Sequence, residues 1–188
     1  MALLPIITAP DPRLKKKSKP VERVDDAIRQ LMADMMSTMY AAPGIGLAAP
    51  QVGVLKRVIV IDAAREGDPS RPLKLANPEI VWASDDDNTY EEGCLSVPEH
   101  YAEVVRPRAV KVRYLDETGA KREIEAEGLL ATCLQHEIDH LDGVLFLDHL
   151  SALKRNMILR KLLKEKKAVE RGEGADTEKS ADSTQHTL

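Results

Sequence analysis

The sequence predicts an α+β fold: antiparallel strands wrapped around one central helix, with a further helix toward each end of the chain. Three observations point that way. Val110-Lys111-Val112-Arg113-Tyr114 and Arg122-Glu123-Ile124-Glu125-Ala126 alternate around the turn Asp116-Glu117-Thr118-Gly119, the pattern of a β-hairpin. An apolar stretch at residues 129–141 follows directly, too long for a strand and closed by Gly143. Residues 25–40 set Ile28, Leu31, Met32, Met35, Met36 and Met39 at helical spacing, and Pro43-Gly44 ends that run.

The other elements follow in order. Residues 11–20 read as an irregular basic arm. Arg57-Val58-Ile59-Val60-Ile61-Asp62 is a short β-branched strand. Residues 74–82 contain Asn77-Pro78, which predicts an edge or broken strand. Residues 151–167 form a last helix, with Leu153, Met157, Leu162 and Leu163 among its apolar positions. Residues 171–188 are mostly Gly, Ser, Thr, Asp and Glu; with nothing to bury, they are expected to be a disordered polar tail. Residues 1–170 then form a single domain without internal repeats.

A chain of 188 residues has room for one real core. Aromatics are only 3%, so that core must be built from Leu, Ile, Val, Ala and Met. A net charge of −4 selects no class of partner. The apolar run at residues 2–7 is broken by Pro5 and lacks a basic flank, so it is too short for a secretion signal or a membrane span. A reducing, cytoplasmic setting without a membrane follows, in which Cys94 and Cys133 are thiols or ligands before they are a disulfide.

His136-Glu137-Ile138-Asp139-His140 falls within the apolar helix. Residues four apart share a helix face, so His136 and His140 can hold one metal ion, with Glu137 beside it to take a proton from water. A catalytic site needs a third protein ligand. A histidine ten residues after His136 is ruled out, because Phe146 stands there. Glu165 and Glu170 lie on a heavily charged, solvated helix. Cys94 is the best candidate, since a thiolate and two imidazoles suit a first-row divalent metal. Asp139 points off the metal face of an apolar helix and needs a cationic partner, for which Arg106 is expected.

Three segments taken together are recognisable. Gly44-Ile45-Gly46-Leu47-Ala48-Ala49-Pro50-Gln51, Glu92-Gly93-Cys94-Leu95-Ser96 and Gln135-His136-Glu137-Ile138-Asp139-His140 resemble, in order, the three motifs of peptide deformylases. The resemblance runs over about residues 3–167, and the uninterrupted Cys-Leu-Ser and the long last helix look like the Gram-negative type. It implies a cytoplasmic, monomeric hydrolase that removes the N-formyl group from the formyl-methionine of nascent peptides and releases it as formate. It also implies Cys94, His136 and His140 as ligands of Fe(II), replaceable by Zn, Ni or Co. Glu137 would be general base and acid. Gln51 and the Leu95 N–H would hold the formyl oxygen, and Gly46 the substrate backbone. Gly44, Ile45, Glu92, Gly93, Leu129, Thr132 and Cys133 would line the substrate. The family often has an aliphatic residue at Thr132 and an arginine at Tyr101, so pocket depth and rim selectivity are expected to differ here.

Residues 151–171 hold eight Lys and Arg against Glu165 and Glu170, a net +6. They form either a plain solvated face or, as the resemblance implies, a dock for the ribosome near its tunnel exit. Two other readings compete: a zinc endopeptidase of the H-E-x-x-H type, and a metal-stapled binding module in which His100 or His149 closes the fourth ligand position.

Overall fold

Asp25 starts the first helix by accepting the Ile28 N–H at 3.0 Å, which satisfies one of the free donors at a helix start. The computed structural model of the chain describes residues 1–172 and 187–188. Its elements are α1 (Asp26–Ala41), β1 (Gly46–Ala48), β2 (Val58–Ile61), β3 (Leu73–Ala83), β4 (Asp87–Cys94), β5 (Val97–Pro107), β6 (Ala109–Leu115), β7 (Lys121–Glu127), α2 (Gly128–Leu141) and α3 (Ala152–Glu170). The metal-motif helix, the two flanking helices, β2 and the β6–β7 hairpin are those the sequence predicts.

Five strands form one antiparallel sheet in the order β1-β2-β3-β6-β7. Both faces of its β2 end are covered. Ile59, Ile61 and Leu75 pack with Ala131, Cys133, Leu134, Ile138 and Leu141 of α2. Val58, Val60 and Ala76 pack with Met32, Met35, Met36 and Met39 of α1 on the other side. Strand alternation explains the division, because neighbouring residues point to opposite faces. The methionines belong to this core, each contributing about 1.5–3 kcal/mol by burial.

β3 departs from expectation. It is the middle strand and not an edge, although it is broken as predicted. The register with β6 slips between Ala76 and Glu79, so Pro78 falls where the ladder is already interrupted. Asn77 takes a left-handed turn at φ 48°. Its side chain then bonds the backbone of Val21 twice, at 2.9 and 2.8 Å, supplying contacts the bulge removes.

The sequence reading missed β1 and the separate hairpin of β4 and β5. This hairpin, the turn at Leu145–Leu147 and α3 enclose a third apolar cluster around Phe146, Leu147 and Leu162. The expected polar tail lies outside the described residues over 173–186. Thr187 and Leu188 are described, and Leu188 is only 3% exposed, contrary to the expectation of nothing to bury.

Candidate active site

The α2 helix is apolar on almost every side, so its polar residues are buried with it. His136, Glu137 and His140 are each 1% exposed or less. The two imidazoles stand one turn apart with ring centroids 5.0 Å from each other. Cys94 arrives from β4, where the register with β5 shifts between Glu92 and Cys94 and so re-aims the thiol. Its Sγ lies 3.3 Å from His140 Nε2.

One donor atom from each of Cys94, His136 and His140 lies within 4.8 Å of the others. Two atoms sharing a tetrahedral first-row ion stand about 3.5 Å apart, so the cluster fits an ion. His136 Nε2 supports the fit: it is buried without a hydrogen-bond partner, while Nδ1 of the same ring is held by Glu92 at 2.9 Å. Among the described residues this is the one such cluster, and it contains neither Glu165 nor a third histidine. His149 is instead 2.8 Å from Asp139, and His100 is 3.7 Å from Glu165. Three ligands leave one position open, as catalysis needs and a structural site does not.

A charged network stands behind the ligands. Glu92 is fully buried, and its carboxylate accepts from Arg106 at 2.7 and 3.0 Å as well as meeting His136. Arg106 also donates to Asp139 at 2.8 Å, the pair anticipated from sequence. Burial pushes the Glu92 carboxyl up, but His136 and Arg106 outweigh it and hold it below the ordinary value. Glu92 was expected along the substrate; its side chain is instead committed to Arg106 and His136. Nothing in the spacing of the motifs pointed to Glu92 or His149 in these roles.

Glu137 is the electrostatic opposite. Both its oxygens are buried without a partner. Burial first, and then the Glu92 charge, push its carboxyl well above the usual range. Burial and the Glu137 charge likewise raise the Cys94 thiol, and burial with the His136 charge lowers His140. A bound divalent cation reverses the logic for the thiol, which it deprotonates.

The neighbouring loops complete the cleft. Gln51, in the short 3-10 turn Ala49–Val52, accepts the Ala48 N–H at 2.8 Å through Oε1. That fixes its Nε2 toward Ser96 Oγ at 3.1 Å and Cys94 Sγ at 3.5 Å. A side chain on Gly46 would drive its Cβ into the Glu137 carboxylate and to 2.9 Å from Cys133 Sγ. Glycine is needed there to admit the chain's own groups. Gly44 is similar, with Leu95 Cδ1 at 2.7 Å from such a Cβ, and at Gly93 the Tyr101 ring would be 2.5 Å away. Ile45, Cys133 and, partly buried, Leu129 share one apolar cluster, and Thr132 is buried on the same helix. The Cys133 Sγ–H points to the Ile45 carbonyl at 3.7 Å, away from the ligand cluster.

The comparisons with known proteins agree with this geometry. Residues 3–156 match the family model described as polypeptide deformylase. The chain is 61% identical over 168 residues to a peptide deformylase of Phenylobacterium zucineum, covering 89% of this chain and 99% of that one. It is 58% identical over 164 residues to a peptide deformylase of Brucella suis, covering 87% and 94%. A crystal structure of peptide deformylase from Ehrlichia chaffeensis superposes with a TM-score of 0.86 at 44% identity, over 90% of this chain and 99% of that one. Another of the same enzyme, in complex with actinonin, gives 0.84 at 46% identity, over 88% and 98%. With the family's three motifs brought to one cleft and its match spanning most of the sequence, the chain belongs to the polypeptide deformylase family of metal-dependent hydrolases.

Proposed function

We propose that Cys94, His136 and His140 hold Fe(II), and that the other cleft residues carry out deformylation of formyl-methionyl nascent peptides around it. The chain removes the N-formyl group and releases formate, as its family does. The observation that carries the assignment of roles is the unpartnered, buried carboxylate of Glu137 beside the three-ligand cluster. The bound metal supplies Lewis acidity and makes water a nucleophile near neutral pH. Zn, Ni or Co fits the same donors, with the thiolate favouring such ions over harder ones.

Glu137 takes the proton from the attacking water and returns it to the leaving amine. Its raised proton affinity suits it to hold that proton between the two steps. The Gln51 Nε2 and the Leu95 N–H donate to the formyl oxygen as it gains charge. Losing one such donor typically costs about 3–4 kcal/mol. Gly46, with the Ile45 N–H beside it, binds the substrate backbone, and Ile45, Leu129 and Cys133 take the methionine side chain, with Thr132 beside them. Tyr101 stands at the rim, over Gly93.

The α3 helix buries Leu162, packs the partly buried Ile158 and Leu159 beside it, and turns Lys154, Arg160, Lys161, Lys164, Lys166 and Lys167 to solvent. That exposed basic surface is suited to the phosphates of ribosomal RNA and supports a reading in which the enzyme works at the nascent chain in the cytoplasm. No helix among the described residues is long and apolar enough to cross a membrane.

The deciding experiment is formate release from formyl-Met-Ala-Ser by anaerobically purified protein, with metal analysis of the same sample. Turnover with about one Fe per chain, lost on chelation and restored by Fe(II) or Ni(II), supports these roles. Full activity in metal-free protein, or cleavage of internal peptide bonds, overturns them.

A further inference from the structure

We propose that Thr187 and Leu188 are a built-in ligand of the substrate cleft, competing with formyl-peptides for the same donors and the same apolar slot. This rests on the assignment of that cleft to substrate above. The Ile45 N–H donates to the Thr187 carbonyl at 3.0 Å, and the Leu95 N–H to the Leu188 oxygen at 3.3 Å. Thr187 also forms a parallel bridge with Gly44. These are the backbone groups assigned to the peptide and to the formyl oxygen of the substrate. Each N–H can serve only one of the two at full strength, so tail and substrate exclude one another.

The side chains agree with the backbone. Leu188 is 3% exposed and belongs to the cluster of Ile45, Cys133 and Leu134, against which Leu129 packs. Leucine and methionine are close in volume and interchange readily in apolar sites. Leu188 therefore stands where the substrate methionine is placed. At the rim, Tyr101 Oη lies 3.2 Å from Thr187 Oγ1, so the residue that departs from the family pattern contacts the tail. The arrangement is an extended segment added to an open edge: backbone bonds give affinity, and one pocket gives selectivity.

The connection permits it. Fourteen residues separate Gly172 from Thr187 (173 through 186) and can reach about 50 Å at most. A domain of this size has a radius of gyration of about 15 Å, so the reach suffices. A tethered ligand acts at an effective concentration on the order of millimolar, so a dipeptide with millimolar affinity is bound much of the time. The family match covers residues 3–156, so the tail lies beyond the segment that carries the three motifs.

The test compares the full chain, a variant lacking Thr187 and Leu188, and Leu188→Asp, all loaded with Zn. NMR reads the backbone amides of Ile45 and Leu95. Deletion should shift both, a peptide of residues 182–188 should move them back, and adding Met-Ala-Ser should displace that peptide. In formate release, deletion and Leu188→Asp should each lower KM for formyl-Met-Ala-Ser about three- to tenfold, with kcat within twofold. Unmoved amides and an unchanged KM overturn the proposal. So does peptide binding that Met-Ala-Ser does not displace, or a KM that rises with enzyme concentration, which would make the contact intermolecular. Amide shifts and displacement without any turnover would uphold the tail contact and sink the deformylase roles instead.

Discussion

His136 Nδ1 and Glu92 Oε1 stand 2.9 Å apart in a fully buried contact, so the metal-facing nitrogen of that ring is chosen by a residue from another element. Arg106 keeps Glu92 ionised from behind. Glu92→Gln should weaken metal binding about 10- to 100-fold, read by competition with a chromophoric chelator. Arg106→Met should destabilise the fold by about 3–5 kcal/mol in urea unfolding, because it strands the buried Glu92 charge. An unchanged metal affinity in the first variant would show that the ring is oriented by packing alone.

Glu137→Gln should retain metal at wild-type stoichiometry and lose about 10²- to 10⁴-fold in kcat. The side chain is close to isosteric, so the fold should stand. It also removes a buried carboxyl with no partner, so its melting temperature should equal or exceed the parent's. Activity within tenfold of the parent would remove Glu137 from the proton transfer.

Gly46→Ala tests the fit between β1 and α2. The added methyl meets the Glu137 carboxylate and the Cys133 sulfur, both on a packed helix. We expect kcat to fall about 10- to 100-fold, since small displacements of a reacting group are costly. Pairing the change with Cys133→Ala should recover part of the loss if crowding is the cause, which steady-state kinetics of the double variant will show.

Asp62 governs acid stability at the far end of β2. Burial would raise its carboxyl, but the hydroxyls of Ser70 and Tyr40 and the N–H groups of Arg71 and Ala64 outweigh burial and lower it. The folded pKa thus lies below the unfolded one. The stabilisation is complete above about pH 4 and fades as pH falls through the folded value. Asp62→Asn should cost about 1–2 kcal/mol at pH 7 and much less near pH 2, measured by urea unfolding at both. A loss that is independent of pH would mean that shape, not charge, holds the loop.

Removing α3 is a poor test of its basic face, because Leu162 would leave the core with it. Lys161→Glu together with Lys164→Glu leaves that packing in place. The pair should keep turnover of a soluble formyl tripeptide within twofold and weaken co-sedimentation with ribosomes, with a shallower dependence on salt. Equal sedimentation by parent and variant would reduce the face to ordinary solvated charge.

The readable parts of the molecule are those whose signal is local. Apolar periodicity marks α1 and α2, and the turn around Gly119 marks the hairpin of β6 and β7. The place of β3 was not readable, because what makes a central strand tolerable at Pro78 is the bond from Asn77 to Val21, far away in the chain. The hairpin of β4 and β5 escaped notice because β4 is largely polar and β5 is interrupted by Pro98, Glu99 and Glu103, so neither shows a sustained strand pattern. In the site, the ligand pattern was visible from spacing and from the family resemblance. The pair of Arg106 with Asp139 followed from the need to neutralise a carboxylate in an apolar helix. Glu92 offered no such clue, since a glutamate beside a cysteine motif reads equally as substrate contact or as support.

Trp82, the sole tryptophan, is half exposed on β3, with the Lys111 ammonium 5.8 Å from its ring centre. It lines a groove with Ser84, Lys111 and Glu125 and shares no wall with the ligand cluster. Tryptophan fluorescence will therefore report the outer surface of the sheet, and no indole reports on the cleft. Denaturation followed by this one indole will understate the loss of a core made almost wholly of aliphatic side chains and methionine. A reporter placed at Tyr101 would instead look directly into the cleft, where substrate and tail meet.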